Sequence, residues 1–116
     1  MIRSLCVLLL IAFAGSALGA KSTYKAIVTK TLVHEKDYGV CMAVVSPSPS
    51  TKGLDCKPHW VTFSCSGDFN SKEIGYQKLS AAQLALVTGD SVMIYVEDTR
   101  KHNGYCYAPR IDNLAN

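Results

Sequence analysis

The chain has no G-x-S-x-G, no C-x-x-C, no phosphate-cradling glycine loop and no N-x-S/T sequon. The first absence removes the usual setting of an exposed serine nucleophile. The second removes the densest zinc-ligand spacing. The third removes the backbone cradle of nucleotide enzymes. No internal repeat and no low-complexity tract interrupts the sequence. Charge is also scarce. Once Arg3 is set aside with the leader described below, eleven Lys and Arg face nine Asp and Glu. An excess of two is too small to hold a polyanion. The carboxylate pairs Asp68/Glu73 and Glu97/Asp98 have no spacing that specifies a reaction, so solvated charge is the plainer reading. His34, His59 and His102 read as surface histidines at strand ends and in a loop. These absences argue against an enzyme.

What is present begins with a leader. Arg3 precedes an apolar run from Leu5 to Phe13, and small residues follow at Gly15, Ala17, Gly19 and Ala20. That order reads as a secretory signal peptide over residues 1–19. Its apolar part is shorter than the roughly 20 residues a membrane span needs. Residues 20–116 then form one domain, with localisation secreted or periplasmic.

The domain alternates short β-rich segments with turn signals. Tyr24–His34, Val40–Val45 and His59–Cys65 read as three strands, with Val61, Phe63 and Cys65 on one face of the third. Ser46–Pro58, with three prolines and a glycine, reads as a loop. Ser80 to Thr88 reads as a short helix. Ser80 and Gln83 are placed as a capping box, Leu79 and Leu84 as a hydrophobic staple, and Gly89 as the stop. Leu84 and Val87 are its expected core side, and Ala81, Ala82 and Ala85 its small-residue side. Ser91–Glu97 is the fourth strand, with Val92, Ile94 and Val96 inward. Asp98–Gly104 is expected as a hairpin loop and Tyr105–Ile111 as the fifth strand, with Pro109 at an edge or bulge. Five strands with one helix between the third and fourth is the order of an OB-fold, a mainly β Greek-key barrel.

Four cysteines remain after the leader: Cys41, Cys56, Cys65 and Cys106. An even number behind a signal peptide reads as two disulfides, each adding about 3 kcal/mol by restricting the unfolded chain. Three pairings are possible. Cys41–Cys56 with Cys65–Cys106 is favoured, because the second bridge would tie the third strand to the last, which are neighbours in a closed OB barrel.

The binding features are aromatic. Trp60, Tyr76, Tyr95, Tyr105 and Tyr107 offer flat amphipathic faces that can stack on sugars, bases or another subunit. Thr99–Asn103 places hydrogen-bond donors beside Tyr105, in the loop between strands four and five that OB barrels use for ligands.

Three stretches carry a family resemblance: the strand YGVCMAVV with Cys41 followed by Cys56, the segment LSAAQLALVTGDSVMIYVED, and the terminal-strand Cys106. Together they resemble the OB-fold B subunits of pentameric A–B toxins, of the subtilase cytotoxin and typhoid toxin type. The resemblance implies a secreted glycan-binding B subunit that delivers a toxin A subunit, or a stand-alone relative of one. It implies a ring-shaped homopentamer, cell-surface glycans as ligands, and a helix lining the central pore. Expected sugar-binding residues are Ser22, from the family's serine near the start of the first strand, with Lys101, His102, Asn103 and Tyr105. Ala81, Ala82 and Ala85 are the expected subunit interface. No metal or cofactor is expected. The competing reading is a monomeric exported OB domain that binds a protein partner, as an inhibitor or envelope protein. Single-stranded nucleic acid is disfavoured by export and by the low net charge.

Overall fold

A computed structural model describes residues 19–115. The expected leader lies almost wholly outside the described residues. Five strands are present: β1 (Lys21–Val33), β2 (Cys41–Ser46), β3 (Trp60–Thr62), β4 (Val92–His102) and β5 (Tyr105–Asn113). Among the described residues there is one α-helix, α1 (Lys72–Thr88), between β3 and β4 in the chain, and one 3-10 turn, at Pro49–Lys52. The strands close into a barrel in the order β1-β2-β3-β5-β4. Every neighbouring pair is antiparallel except β3 with β5, which is parallel. Among the described residues, no helix is long and apolar enough to cross a membrane.

The period-2 alternation in the sequence is what closes the barrel. Tyr24, Ala26 and Val28 of β1, Val92, Ile94 and Val96 of β4, and Val61, Phe63 and Cys65 in and after β3 all enter one buried cluster. Met93 and Tyr95 alternate with them toward the outside. Pro109 falls where the β4–β5 register shifts between Tyr95 and Glu97, as a residue without an N–H should.

The helix differs most from the sequence expectation. It starts eight residues earlier than Ser80, at Lys72, and its N-cap is Ser71, whose hydroxyl accepts from the Ile74 N–H at 3.2 Å. Ser80 is mid-helix and donates to the Tyr76 carbonyl, so no capping box forms there. Gly75 disguised the first turns. Glycine disfavours a helix by about 1 kcal/mol, but here it is needed for packing. A Cβ at Gly75 would lie 2.8 Å from three backbone atoms of Ser64 and Cys65. This close approach fixes which face turns inward: Gly75, Lys78, Leu79, Ala82 and Ala85 are buried. Leu84 and Val87, expected in the core, are 56% and 85% exposed. Ala82 and Ala85, expected at a subunit interface, are fully buried in the chain's own core, and Ala81 is half-buried. The small side chains let the helix lie close on the barrel.

The disulfides are Cys41–Cys65 and Cys56–Cys106, each with Cα atoms 5.5 Å apart, not the pairing expected. The β2–β3 register explains the first. Met42 faces Thr62, and the Phe63 N–H donates to the Cys41 carbonyl, so the chain after β3 returns past Cys41. The second follows from the loop before β3, where the Lys57 N–H donates to the Gly104 carbonyl at 2.8 Å and sets Cys56 beside the start of β5. The expected hairpin loop Asp98–Gly104 is mostly strand. Its turn is Asn103–Gly104, both at positive φ, as a two-residue hairpin requires.

Candidate functional site

A hollow of about 150 Å³ opens on the outer side of β1, β2 and β3, lined by Leu32, Tyr38, Met42, Trp60 and Tyr105. Each lining residue comes from a different place in the chain. Leu32 is near the end of β1, Tyr38 is in the β1–β2 loop, and Met42 follows Cys41 in β2. Trp60 begins β3, and Tyr105 begins β5 just past the hairpin turn. The Tyr38 and Tyr105 rings meet edge to face with centroids 6.1 Å apart. The Lys30 ammonium sits 5.6 Å from the Trp60 ring centroid, and the Lys57 ammonium 5.4 Å from that of Tyr105. Such contacts contribute about 0.5–1 kcal/mol each where water is near, enough to bias the lysine stems toward the rings and to place positive charge at the rim. The hollow is smaller than pockets that engulf a drug-sized ligand, roughly 300–1,000 Å³. It suits a grip on one ring of a larger molecule.

Of the expected site residues, Tyr105 lines this hollow. Asn103 and His102 stand beside it but face elsewhere. The Asn103 side-chain oxygen accepts from the Tyr38 N–H at 2.9 Å. The His102 ring stacks on Phe69 at 4.2 Å, with Nε2 2.8 Å from Asp68 and Nδ1 2.9 Å from the Thr62 hydroxyl. Lys101 reaches Asp55 at 3.8 Å. Ser22 lies opposite Val96, five positions before Lys101 on β4 or roughly 16 Å of strand, and is not part of the hollow. The other expected aromatics divide. Trp60 is in the hollow, while Tyr95 lines a separate groove with Thr23, Met93, Arg110 and Asp112. Tyr76 is exposed on α1, and Tyr107 is buried, so it offers no open face.

Tyr38, Leu32 and Met42 were missed from the sequence. Tyr38 sits in what reads as a polar turn. The available signal was an aromatic residue directly before a glycine in the loop between the first two strands. Tyr38, Gly39 and Val40 all have positive φ. A side-chain-bearing residue held there costs about 1–3 kcal/mol. Two contacts offset that cost: Asn103 on the Tyr38 N–H and Thr62 on its carbonyl. A Cβ on Gly39 would strike the Thr62 hydroxyl and the His102 ring, so the turn exists in this form only with glycine at its centre.

Asp68, His102 and Thr62 stand in the order of a carboxylate–imidazole–hydroxyl relay. Thr62 is 0% exposed, and its oxygen also contacts the Tyr38 carbonyl and the Ser64 N–H. That hydroxyl cannot meet a substrate, so the relay acts on the chain itself. Hydrogen bonds from His102 and Ser66 hold the Asp68 carboxyl below the usual carboxylate range.

On the opposite flank, Lys78 projects from α1 toward β5 and donates to the Asn70 side chain, the Tyr107 hydroxyl and the Ala108 carbonyl. Burial, with Arg100 adding like charge, lowers its amine to about 8. Arg100 pairs with the buried Glu97, which raises the guanidinium further. All three N–H groups of Lys78 are engaged within the fold, so this amine supports packing. Among the described residues, no cluster of His, Cys, Asp and Glu is arranged to hold a metal. No family model matches the chain, and no curated protein or solved structure does, so the aromatic hollow and its setting are the ground for any functional reading.

Proposed function

We propose that this chain is an exported OB-fold carbohydrate-binding domain of the toxin B-subunit kind, and that the hollow of Tyr38, Trp60 and Tyr105 grips its glycan. The observation that carries the reading is the place of that hollow. It lies on the β2–β3 face between the β1–β2 loop and the β4–β5 hairpin, where OB barrels bind oligosaccharides and oligonucleotides. The strand order β1-β2-β3-β5-β4 and a helix following β3 support the OB assignment. Two disulfides are compatible with an oxidising compartment. The rings supply stacking surface for a pyranose, and the rim lysines supply donors. Lys101 and Asn103 contribute by shaping the hairpin.

Ring assembly, in this reading, uses the outward face of α1. Tyr76, Leu84 and Val87 are exposed there, in place of the alanines first expected. A monomeric protein-binding domain would use the same apolar side chains against a different partner. The purified mature chain should bind a restricted set of glycans on an array, and Trp60→Ala should abolish that binding while keeping the fold. Ser22→Ala, which lies outside the hollow, should leave it intact. Native mass spectrometry should give five copies. A folded monomer that binds no glycan would leave the protein-binding reading in its place.

A further inference from the structure

We infer that His102 is a positioning residue for the hollow, and that the charge on its imidazole decides whether Thr62 holds the Tyr38 carbonyl. The inference rests on the hollow being the binding site, but its mechanism is counted from hydrogens alone. The Thr62 hydroxyl has one proton to donate and two lone pairs. One lone pair takes the Ser64 N–H at 3.2 Å. Two further groups compete for the rest: Nδ1 of His102 at 2.9 Å and the Tyr38 carbonyl oxygen at 3.2 Å.

The carboxylate fixes the other end. An ionised Asp68 only accepts, so the His102 nitrogen 2.8 Å away, Nε2, must carry a proton. In a neutral ring Nδ1 is then bare and takes the Thr62 proton. The Tyr38 carbonyl is left without that donor. In an imidazolium both nitrogens donate. Thr62 then accepts from Ser64 and from Nδ1, and its own proton turns to Tyr38. Only the charged form satisfies every member of the chain from Asp68 to Tyr38. Tyr38 is held at φ 63 by this contact and by Asn103, so losing one of the two loosens a ring that lines the hollow.

The groups facing His102 are few. Asp68 lies at Nε2, and Phe69 covers the ring face. Arg100 stands beyond Phe69 at 5.9 Å, and Tyr107 meets the same phenyl ring. Lys101 is its strand neighbour and pairs with Asp55. The His34 and Tyr38 rings meet edge to face with centroids 5.4 Å apart, which makes His34 the rival source of any pH response at Tyr38. Asp68 stays ionised throughout the range in which histidines titrate, because its carboxyl lies below the usual range.

The test needs no ligand, so it separates this inference from the glycan reading. The carbonyl carbon of Tyr38 is followed by NMR in the disulfide-bonded chain from about pH 8 to about pH 5, the interval of histidine titration. The signal should move downfield toward acid in the wild type, in Thr62→Ser and in His34→Gln. The movement should be lost in His102→Gln and in Thr62→Val. Glycan binding, where present, should strengthen over the same interval in the first group only. A Tyr38 titration that persists in His102→Gln, or that disappears in His34→Gln, overturns the inference. His102→Gln carries the decision should Thr62→Val fail to fold.

Discussion

Lys78 should make the molecule more stable as the solution turns alkaline. Its ammonium is buried against α1 and β5, and its partners are a side-chain amide oxygen, a hydroxyl and a backbone carbonyl. None of these is a carboxylate, so nothing offsets the desolvation with opposite charge. The amine falls from 10.5 to about 8 in the fold. Between those values the unfolded chain holds the proton and the folded chain has released it. Stability rises with pH wherever the unfolded state binds more protons. At about 1.36 kcal/mol per pH unit the full gap is roughly 3.4 kcal/mol, and water reaching the amine reduces this to about 2 kcal/mol. Most of the gain falls between pH 8 and 10. Above about pH 10 the sign reverses. Burial holds Tyr24 at about 12 and raises Tyr107, so both stay neutral in the fold while unfolded tyrosines ionise. Thermal unfolding followed by circular dichroism without reductant should show a maximum near pH 10. The rise from pH 8 should be roughly 10 °C, since 1 kcal/mol moves the midpoint of a domain this size by about 4–8 °C. Lys78→Met has no amine to titrate, and its midpoint should stay level over that interval whatever its absolute value. A wild-type midpoint that falls from pH 8 to 10, or an equal rise in Lys78→Met, would refute the reasoning.

Two further outcomes concern the frame of the site. Gly75→Ala gains about 1 kcal/mol of helix propensity, but its methyl group meets backbone at 2.8 Å, and overpacking costs about 1–3 kcal/mol or more where the obstacle cannot move. A lowered melting temperature is expected, and a raised one would mean the helix does not lie on Ser64 and Cys65 as described. Replacing Cys56 and Cys106 together by serine should cost about 2–5 kcal/mol and release Lys57 from Tyr105. Denaturant unfolding reads the first effect, and the Tyr105 ring signals in NMR read the second.

The barrel strands were legible because a half-buried strand leaves a simple trace. Val92, Ile94 and Val96 alternate with Met93 and Tyr95, and the structure keeps that alternation. The helix was half legible. Its end at Gly89 is a left-handed cap whose N–H donates to the Ala85 carbonyl, a local signal. Its start depended on a tertiary contact, Gly75 against Ser64 and Cys65, that no local pattern carries. The same contact turned the large residues Leu84 and Val87 outward, against the rule that the bulkier side of a helix is the core side. The cysteine pairing was illegible for a related reason. It follows from where the chain goes after β3 and before it, both irregular segments. In the hollow, Trp60 and Tyr105 were visible as outward aromatics, whereas Tyr38 is set by a left-handed turn held from across the barrel.

The two disulfides overlap along the chain: one spans 41 to 65, the other 56 to 106. Pulled from its ends, the domain could therefore not be drawn out to its full contour. The taut path would run from the start of β1 to Cys41, cross to Cys65, double back to Cys56, cross to Cys106 and leave through β5. That path holds only about 40 residues, or ~140 Å at ~3.4 Å each, against more than twice that for the uncrosslinked chain. Most of the long proline-containing loop and all of α1 and β4 would hang slack and bear no load. An unfolded but oxidised chain would still be a short, branched object, a poor substrate for any machine that threads polypeptides end first, and only reduction would let it pass as a single strand.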